Sequence, residues 1–197
     1  MAIGRGDNIM TPVFSLEGID GSGKSTQQKL VTKFLEENGL KVATPTSPSH
    51  NILGEFIRSN VRQLEPGLRN RLFLLDIEYI DDTIPPDCDT VLWDRHVDSF
   101  YASNPEMDLE EAAKLTEGIT PPLKTFFLDV DIETIMKLRT EVHDHHTIPE
   151  WLKMKAERYR ELAQVEANLG RIVTIDGTLP PDEITAQISS VILEHTL

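Results

Sequence analysis

Cysteine is nearly absent. Cys88 is the only one in 197 residues, so neither an intramolecular disulfide nor a four-cysteine zinc site can form, and a reducing compartment suits the chain. Long apolar stretches are missing as well: nowhere do about 18 apolar residues run together. The opening MAIGRGDNIM carries no apolar segment of the signal-peptide kind, which predicts a cytoplasmic protein. Positive charge is short too. Lys and Arg number 19 against 33 Asp and Glu, a net charge of -14, the wrong sign for coating a nucleic-acid backbone or an anionic membrane. Neither partner is expected, and an anionic small-molecule substrate would have to be met by local positive features.

What is present is ordinary globular composition, with 39% hydrophobic and 26% charged residues, which argues against disorder and fibrous repeats. The length suits one domain, residues 1–197. Val13 to Leu16 reads as a strand running into a glycine turn, and Leu30, Val31, Phe34 and Leu35 then recur at helical spacing. A short strand follows at 42–44, then the loop PTSPS and a helix over 53–62. Leu68, Leu72, Leu75 and Tyr79 share one face of a further helix, which IPPDCD stops before the strand TVLWD. DLEEAAKLTEG predicts a helix capped by Asp108, and KTFFLDV another strand. A short helix at 132–139 leads into a polar excursion, TEVHDHHTIP, read as a lid over about 140–150. Leu152, Ala156, Tyr159 and Ala163 mark a longer amphipathic helix, and RIVTI with a helix from Asp182 closes the chain. This alternation predicts an α/β fold: a mostly parallel sheet of about five strands covered by helices on both faces.

The glycine turn carries the chemistry. Gly18, Ile19, Asp20, Gly21, Ser22, Gly23, Lys24 and Ser25 fit G-x-x-x-x-G-K-[ST], extended by Thr26, with a strand before and a helix after. Glycines let successive backbone N–H groups turn inward on phosphate oxygens, and the helix adds the positive end of its dipole. Lys24 would reach the β- and γ-phosphates of ATP, and Ser25 would face a magnesium ion. At average residue frequencies such a match arises by chance about one time in a hundred. No N-K-x-D guanine-reading signature is present, and the length leaves little space for a motor or transporter, so a small kinase is favoured.

TVLWD ends in Asp94, a carboxylate at the edge of the sheet where the magnesium ion would sit. Arg95 follows, and a guanidinium there can hold an acceptor phosphate in bidentate fashion and spread the charge of the transferring group. Asp129, at the end of TFFLD, competes for the metal but lacks the arginine.

Taken in order, EGIDGSGKST, DRHVDS, PPLKTFFLDV and IDGTLPPDEI make the chain resemble the thymidylate kinase family of P-loop nucleoside monophosphate kinases over nearly its whole length. The resemblance implies a P-loop three-layer fold and magnesium-dependent transfer from ATP to a pyrimidine nucleotide, foremost dTMP to dTDP, by a homodimer. It further implies that Asp20 lies near the acceptor sugar and metal, and that Arg95 binds the acceptor phosphate beside Ser99 of the same motif. Phe73 would stack on the pyrimidine, and Glu150 matches an acid after the lid. Lys24, Arg95 and Asp20 are thus the expected catalytic residues, Ser25 and Asp94 the metal ligands.

The pattern departs at identifiable places. Where the family often has an arginine that reads the thymine carbonyl stands Ile77, and where a tyrosine crowds the sugar 2′ position stands Ser103. The acceptor loop runs Thr46-Ser47-Pro48-Ser49-His50, whose hydroxyls can bind phosphate without supplying charge, with Arg58 as a substitute cation. The phosphate loop has Gly21 in place of an arginine, and the lid offers Arg139, with His143, His145 and His146 where arginines are expected. Two alternatives stay open: a kinase for a modified pyrimidine nucleotide or a deoxynucleoside, with Glu17 or Asp94 as base, and an ATP-gated regulatory protein.

Overall fold

The computed structural model describes residues 11–61, 63–140, 150–166 and 169–196, with the side chains of 138–140 left aside. In chain order the elements are β1 (Val13–Glu17), α1 (Lys24–Glu37), β2 (Val42–Ala43), α2 (Ile52–Asn60) and α3 (Pro66–Asp81), then β3 (Thr90–Asp94), α4 (Val97–Ala102), α5 (Leu109–Leu115) and β4 (Lys124–Asp129), and finally α6 (Ile132–Thr140), α7 (Glu150–Glu166), β5 (Ile172–Asp176) and α8 (Pro181–Thr196). The strands form one sheet in the order β2-β3-β1-β4-β5, and every pairing is parallel, as the alternating βα pattern predicts. β1 lies centrally, with β3 on one side and β4 on the other, so its carboxyl end opens at the point where the connections change direction.

Because strand side chains alternate between faces, parity alone sorts the functional residues. Phe14, Leu16, Leu92, Phe126 and Leu128 pack against Val31 and Leu35 of α1 and Ile184, Ile188 and Ile192 of α8. Asp94 has the parity of Leu92 and therefore ends β3 on the α1 side. Glu17 has the opposite parity to Leu16 and faces the layer of α4 and α7, where Phe127 and Tyr159 stack with ring centroids 5.3 Å apart.

Helix α3 turns the other way from its most regular apolar row. Leu74, Ile77 and Ile80 point into the core together with Asp76, whereas Leu68, Leu75 and Tyr79 are exposed. The inward row contains an acid, so spacing of apolar residues alone selects the wrong face. Helix α4 has no counterpart in the sequence reading, because six residues are too few to show a helical period. Arg171 precedes β5 and is not part of it. The lid residues 141–149, including His143, His145 and His146, lie outside the described residues, as does the side chain of Arg139.

Candidate active site

The turn after β1 is built from backbone that only glycine adopts without strain. Gly18, Gly21 and Gly23 have φ of 141°, 94° and 95°. A Cβ on Gly18 would also lie 2.8 Å from the Leu128 carbonyl oxygen, so this position admits no side chain. Lys24, the first residue of α1, folds back over the turn: its ammonium donates to the Ile19 carbonyl at 2.8 Å and lies 3.4 Å from the Ser22 hydroxyl. Lys24 is buried, and desolvation, with the nearby Arg95 charge, pushes its pKa down to about 7. An ammonium held in this way gains most from an anion placed in the turn. Gly21, Ser25 and Thr26 stand on the exposed rim of the same turn.

Ser25 donates to Asp94 Oδ2 at 2.5 Å, which joins the helix after the turn to the end of β3. A hydroxyl and a carboxylate side by side are hard oxygen donors of the kind magnesium takes. Among the described residues no three His, Cys, Asp or Glu side chains gather into a cage. The competing acid, Asp129, is instead engaged by Arg160 of α7 at 2.8 Å.

Arg95 adopts φ 74°, alone among the described non-glycine residues in having a left-handed backbone. Such a conformation costs on the order of 1–3 kcal/mol and persists only when its surroundings hold it. Here the Arg95 N–H donates to the Leu16 carbonyl and the next N–H, of His96, donates to Glu17. The turn aims the guanidinium at the phosphate loop, where it donates to the Gly18 carbonyl at 3.1 Å and pairs with Asp20. It also donates to Ser99 at 3.2 Å and to Tyr159 at 3.4 Å.

Behind it Glu17, fully enclosed, accepts from Ser99 at 2.5 Å, Tyr159 at 2.8 Å and the His96 N–H at 2.7 Å. Burial, with Asp98 nearby, raises the Glu17 pKa. Its oxygens are spent inside the protein, which removes it as the base for a nucleoside hydroxyl. Neither this carboxylate nor Tyr159 stood out in the sequence as a support for Arg95, since they are separated from it by 78 and 64 positions and meet only across the sheet.

Arg95 and Asp20 help line a cavity of about 370 Å³, within the usual size range of ligand pockets. Phe73, Ile77, Ser99 and Ser103 line it, so the sequence places these four substrate candidates where the fold brings them together. Glu150 does not join them and is exposed at the start of α7. The acceptor loop serves differently from expectation. Ser47 and Ser49 spend their hydroxyls on Asp76, the second at 2.5 Å, and the Ser49 N–H bonds the same carboxylate, so they anchor the loop to α3. Arg58 lines the cavity and donates to the Pro48 and Ser49 carbonyls. Sequence reasoning missed Arg69, Asn70, Asn104 and Lys155, all in the wall. For Lys155 a signal existed, because it lies between Leu152 and Tyr159 on the buried stripe of α7.

These features agree with what comparison finds. A family model for thymidylate kinase matches residues 16–188. The chain is 32% identical to a thymidylate kinase of Thermosipho melanesiensis over 92% of its own length and 98% of that protein. It is 31% identical to one from Kosmotoga olearia, covering 88% and 91%, and 28% identical to a probable thymidylate kinase of Methanosphaera stadtmanae, covering 91% and 96%. With a phosphate loop, a strand-end Asp-Arg pair and a cavity beside both, the chain belongs to the thymidylate kinase family.

Proposed function

We propose that this chain transfers the γ-phosphoryl group of ATP to thymidine monophosphate, giving ADP and thymidine diphosphate. The observation that carries the reading is the position of Arg95: its guanidinium lies against the phosphate loop and also lines the neighbouring cavity. A donor phosphate chain in the loop and an acceptor phosphate at Arg95 would meet end to end, which is the arrangement an in-line transfer needs. Lys24 would bind the transferring group, and Arg95 would offset the acceptor charge that opposes approach. The acceptor is already an anion, so no base is required. Asp20 orients Arg95, while Glu17, through Ser99 and Tyr159, keeps it from swinging away. Ser25 and Asp94 would hold magnesium, which when bound neutralises β- and γ-phosphate oxygens.

In the cavity, Phe73 offers a ring for stacking on the base, and Ile77 and Ile57 provide apolar wall. The Asn70 carboxamide oxygen is buried without a hydrogen-bond partner among the described residues, so it suits the imide N–H of thymine. Ser103, a small residue of the cavity wall, leaves the sugar less crowded than a tyrosine would.

The reading includes a homodimer. Leu68, Leu75 and Tyr79 on α3, with Ile52 and Phe56 on α2, leave an apolar surface exposed that a second copy would cover. It also includes a single-domain enzyme in the cytoplasm, in keeping with the free thiol of Cys88. Among the described residues no helix is long and apolar enough to cross a membrane.

ADP release measured with dTMP, dUMP, dCMP, UMP, CMP and thymidine as separate acceptors tests the activity. dTMP should give the highest kcat/KM. No stimulation above the ATP-only rate by any acceptor would end the kinase reading, while a preference for thymidine would turn it to a deoxynucleoside kinase.

A further inference from the structure

Lys155 is a charge in an unusual place. On α7 the buried residues Leu152, Ala156 and Tyr159 form the inward stripe, and Lys155 occupies the i+3 position of that same stripe. A lysine on such a stripe is far more often an alanine or leucine, because its ammonium must leave water. Its side chain is half-buried and lines the cavity along with Asp20 and Arg95. The contact described for its ammonium is the Tyr159 ring, 6.0 Å to the centroid, at the outer limit for a cation–π attraction.

Other cations of the wall have work within the protein. Arg58 fastens the carbonyls of Pro48 and Ser49, and Arg69 donates to Asn104 at 3.1 Å. Positions 46–50 supply no fixed positive charge, and the Ser47 and Ser49 hydroxyls are bound to Asp76. Position 21 in the phosphate loop is glycine. A nucleoside monophosphate carries about two negative charges at neutral pH, and Arg95, already paired with Asp20, offsets at most one.

We propose that Lys155 is a substrate-binding residue that contacts the acceptor's phosphate together with Arg95, supplying charge that the acceptor loop does not. This deepens the proposed activity and rests on it. The groups facing Lys155 are Arg95 and Lys24, which repel it, and Asp20 and Glu17, which attract it. Burial, followed by the Arg95 charge, pushes its pKa down to about 7, so an arriving phosphate would restore the full ammonium charge. Arg95 and Lys24 crowd Lys155 with like charge, which the acceptor's phosphate would offset.

The test compares two ligands that differ only by the phosphate. Calorimetric titration of dTMP and thymidine into the full chain and its Lys155→Ala and Lys155→Arg variants should show dTMP binding weakened at least about tenfold in Lys155→Ala. Thymidine binding should change less than about twofold, and Lys155→Arg should retain most of the dTMP affinity. The KM for ATP should stay within about twofold of the parent value. Equal weakening of both ligands would mean a packing role and overturn the proposal. So would unchanged dTMP binding in Lys155→Ala, or a loss confined to ATP. Because binding is read without turnover, dTMP that binds in this phosphate-dependent way but is not phosphorylated would remove the activity and leave Lys155 in place. An unchanged kcat/KM for dTMP in Lys155→Ala would do the reverse, and absence of dTMP binding by the parent protein would overturn both.

Discussion

Arg95 is paired with Asp20, so the cation that follows β3 is fastened to the loop that follows β1. The pair is partly open to solvent on the Asp20 side, and its value to fold stability is small. Its value to the reaction is positional: the guanidinium is fastened by Gly18, Asp20, Ser99 and Tyr159 where it meets both the phosphate loop and the cavity.

A planar fork with donors in several directions has no equivalent in lysine. Arg95→Ala and Arg95→Lys are both expected to lower kcat/KM for dTMP by at least about a hundredfold, with a smaller effect on the KM for ATP. Steady-state kinetics with each substrate varied in turn would check this. A lysine variant with parental kinetics would show that charge alone suffices.

Lys24 places stability and activity in opposition. Its unfolded-state pKa is 10.5 and its folded value about 7, so the folded chain disfavours the ammonium. This cost is greatest at and below about pH 7 and fades as pH rises toward 10.5, where the unfolded chain also loses the proton. Lys24→Met should therefore gain on the order of a few kcal/mol at neutral pH, read by urea denaturation, with the gain shrinking at higher pH. The same change, like Lys24→Ala, should reduce kcat by about two orders of magnitude or more.

His96 tunes the fold in the acid range. Its ring is buried edge-on to Trp93, 4.7 Å between centroids, and neither ring nitrogen has a hydrogen-bond partner among the described residues. Burial drives its pKa down to about 4, with Arg171 adding to the shift and Asp98 opposing it. The unfolded histidine takes up its proton near pH 6.5, the folded one only near 4, so stability is lost as pH falls through that window. The loss amounts to on the order of 3 kcal/mol. His96→Phe should flatten the difference in unfolding free energy between pH 7 and pH 4.5 by a measurable part of this amount. Identical pH profiles for parent and variant would count against a neutral buried imidazole.

Much of the site could be read before the fold was known, and the reason is locality. The phosphate loop and the Asp94-Arg95 pair are each contiguous in the chain, and their chemistry follows from residue type plus the element they end. The supports are not local. Glu17 is an unremarkable acid until strand parity turns it toward α4 and α7, and Asp76 looks like the polar member of a helix until the loop at 47–49 closes on it. Tyr159 was legible as a core aromatic, but not as a hydroxyl that bonds a carboxylate across the sheet. On α3 the most regular apolar row proved to be the exposed one, since the helix carries apolar residues on two faces and periodicity does not say which is inside.

That exposed row makes a prediction about assembly. If the proposed dimer forms through this row, Tyr79→Asp with Leu75→Asp should convert it to a monomer in analytical ultracentrifugation, because two charges would be placed in an apolar contact. The substituted positions point away from the cavity, so the monomer should still bind dTMP. A parent protein that sediments as a monomer at micromolar concentration would show that the row serves something else.

The left-handed backbone at Arg95 has one more consequence. Glycine there would relax the main chain while abolishing the guanidinium, so Arg95→Gly should leave a sturdier protein than Arg95→Ala, and both inert toward the acceptor. The chain is least at ease at the residue it can least do without. Selection for robustness alone would erode this position first, and only a continuing demand for the reaction keeps an arginine in a place shaped for glycine.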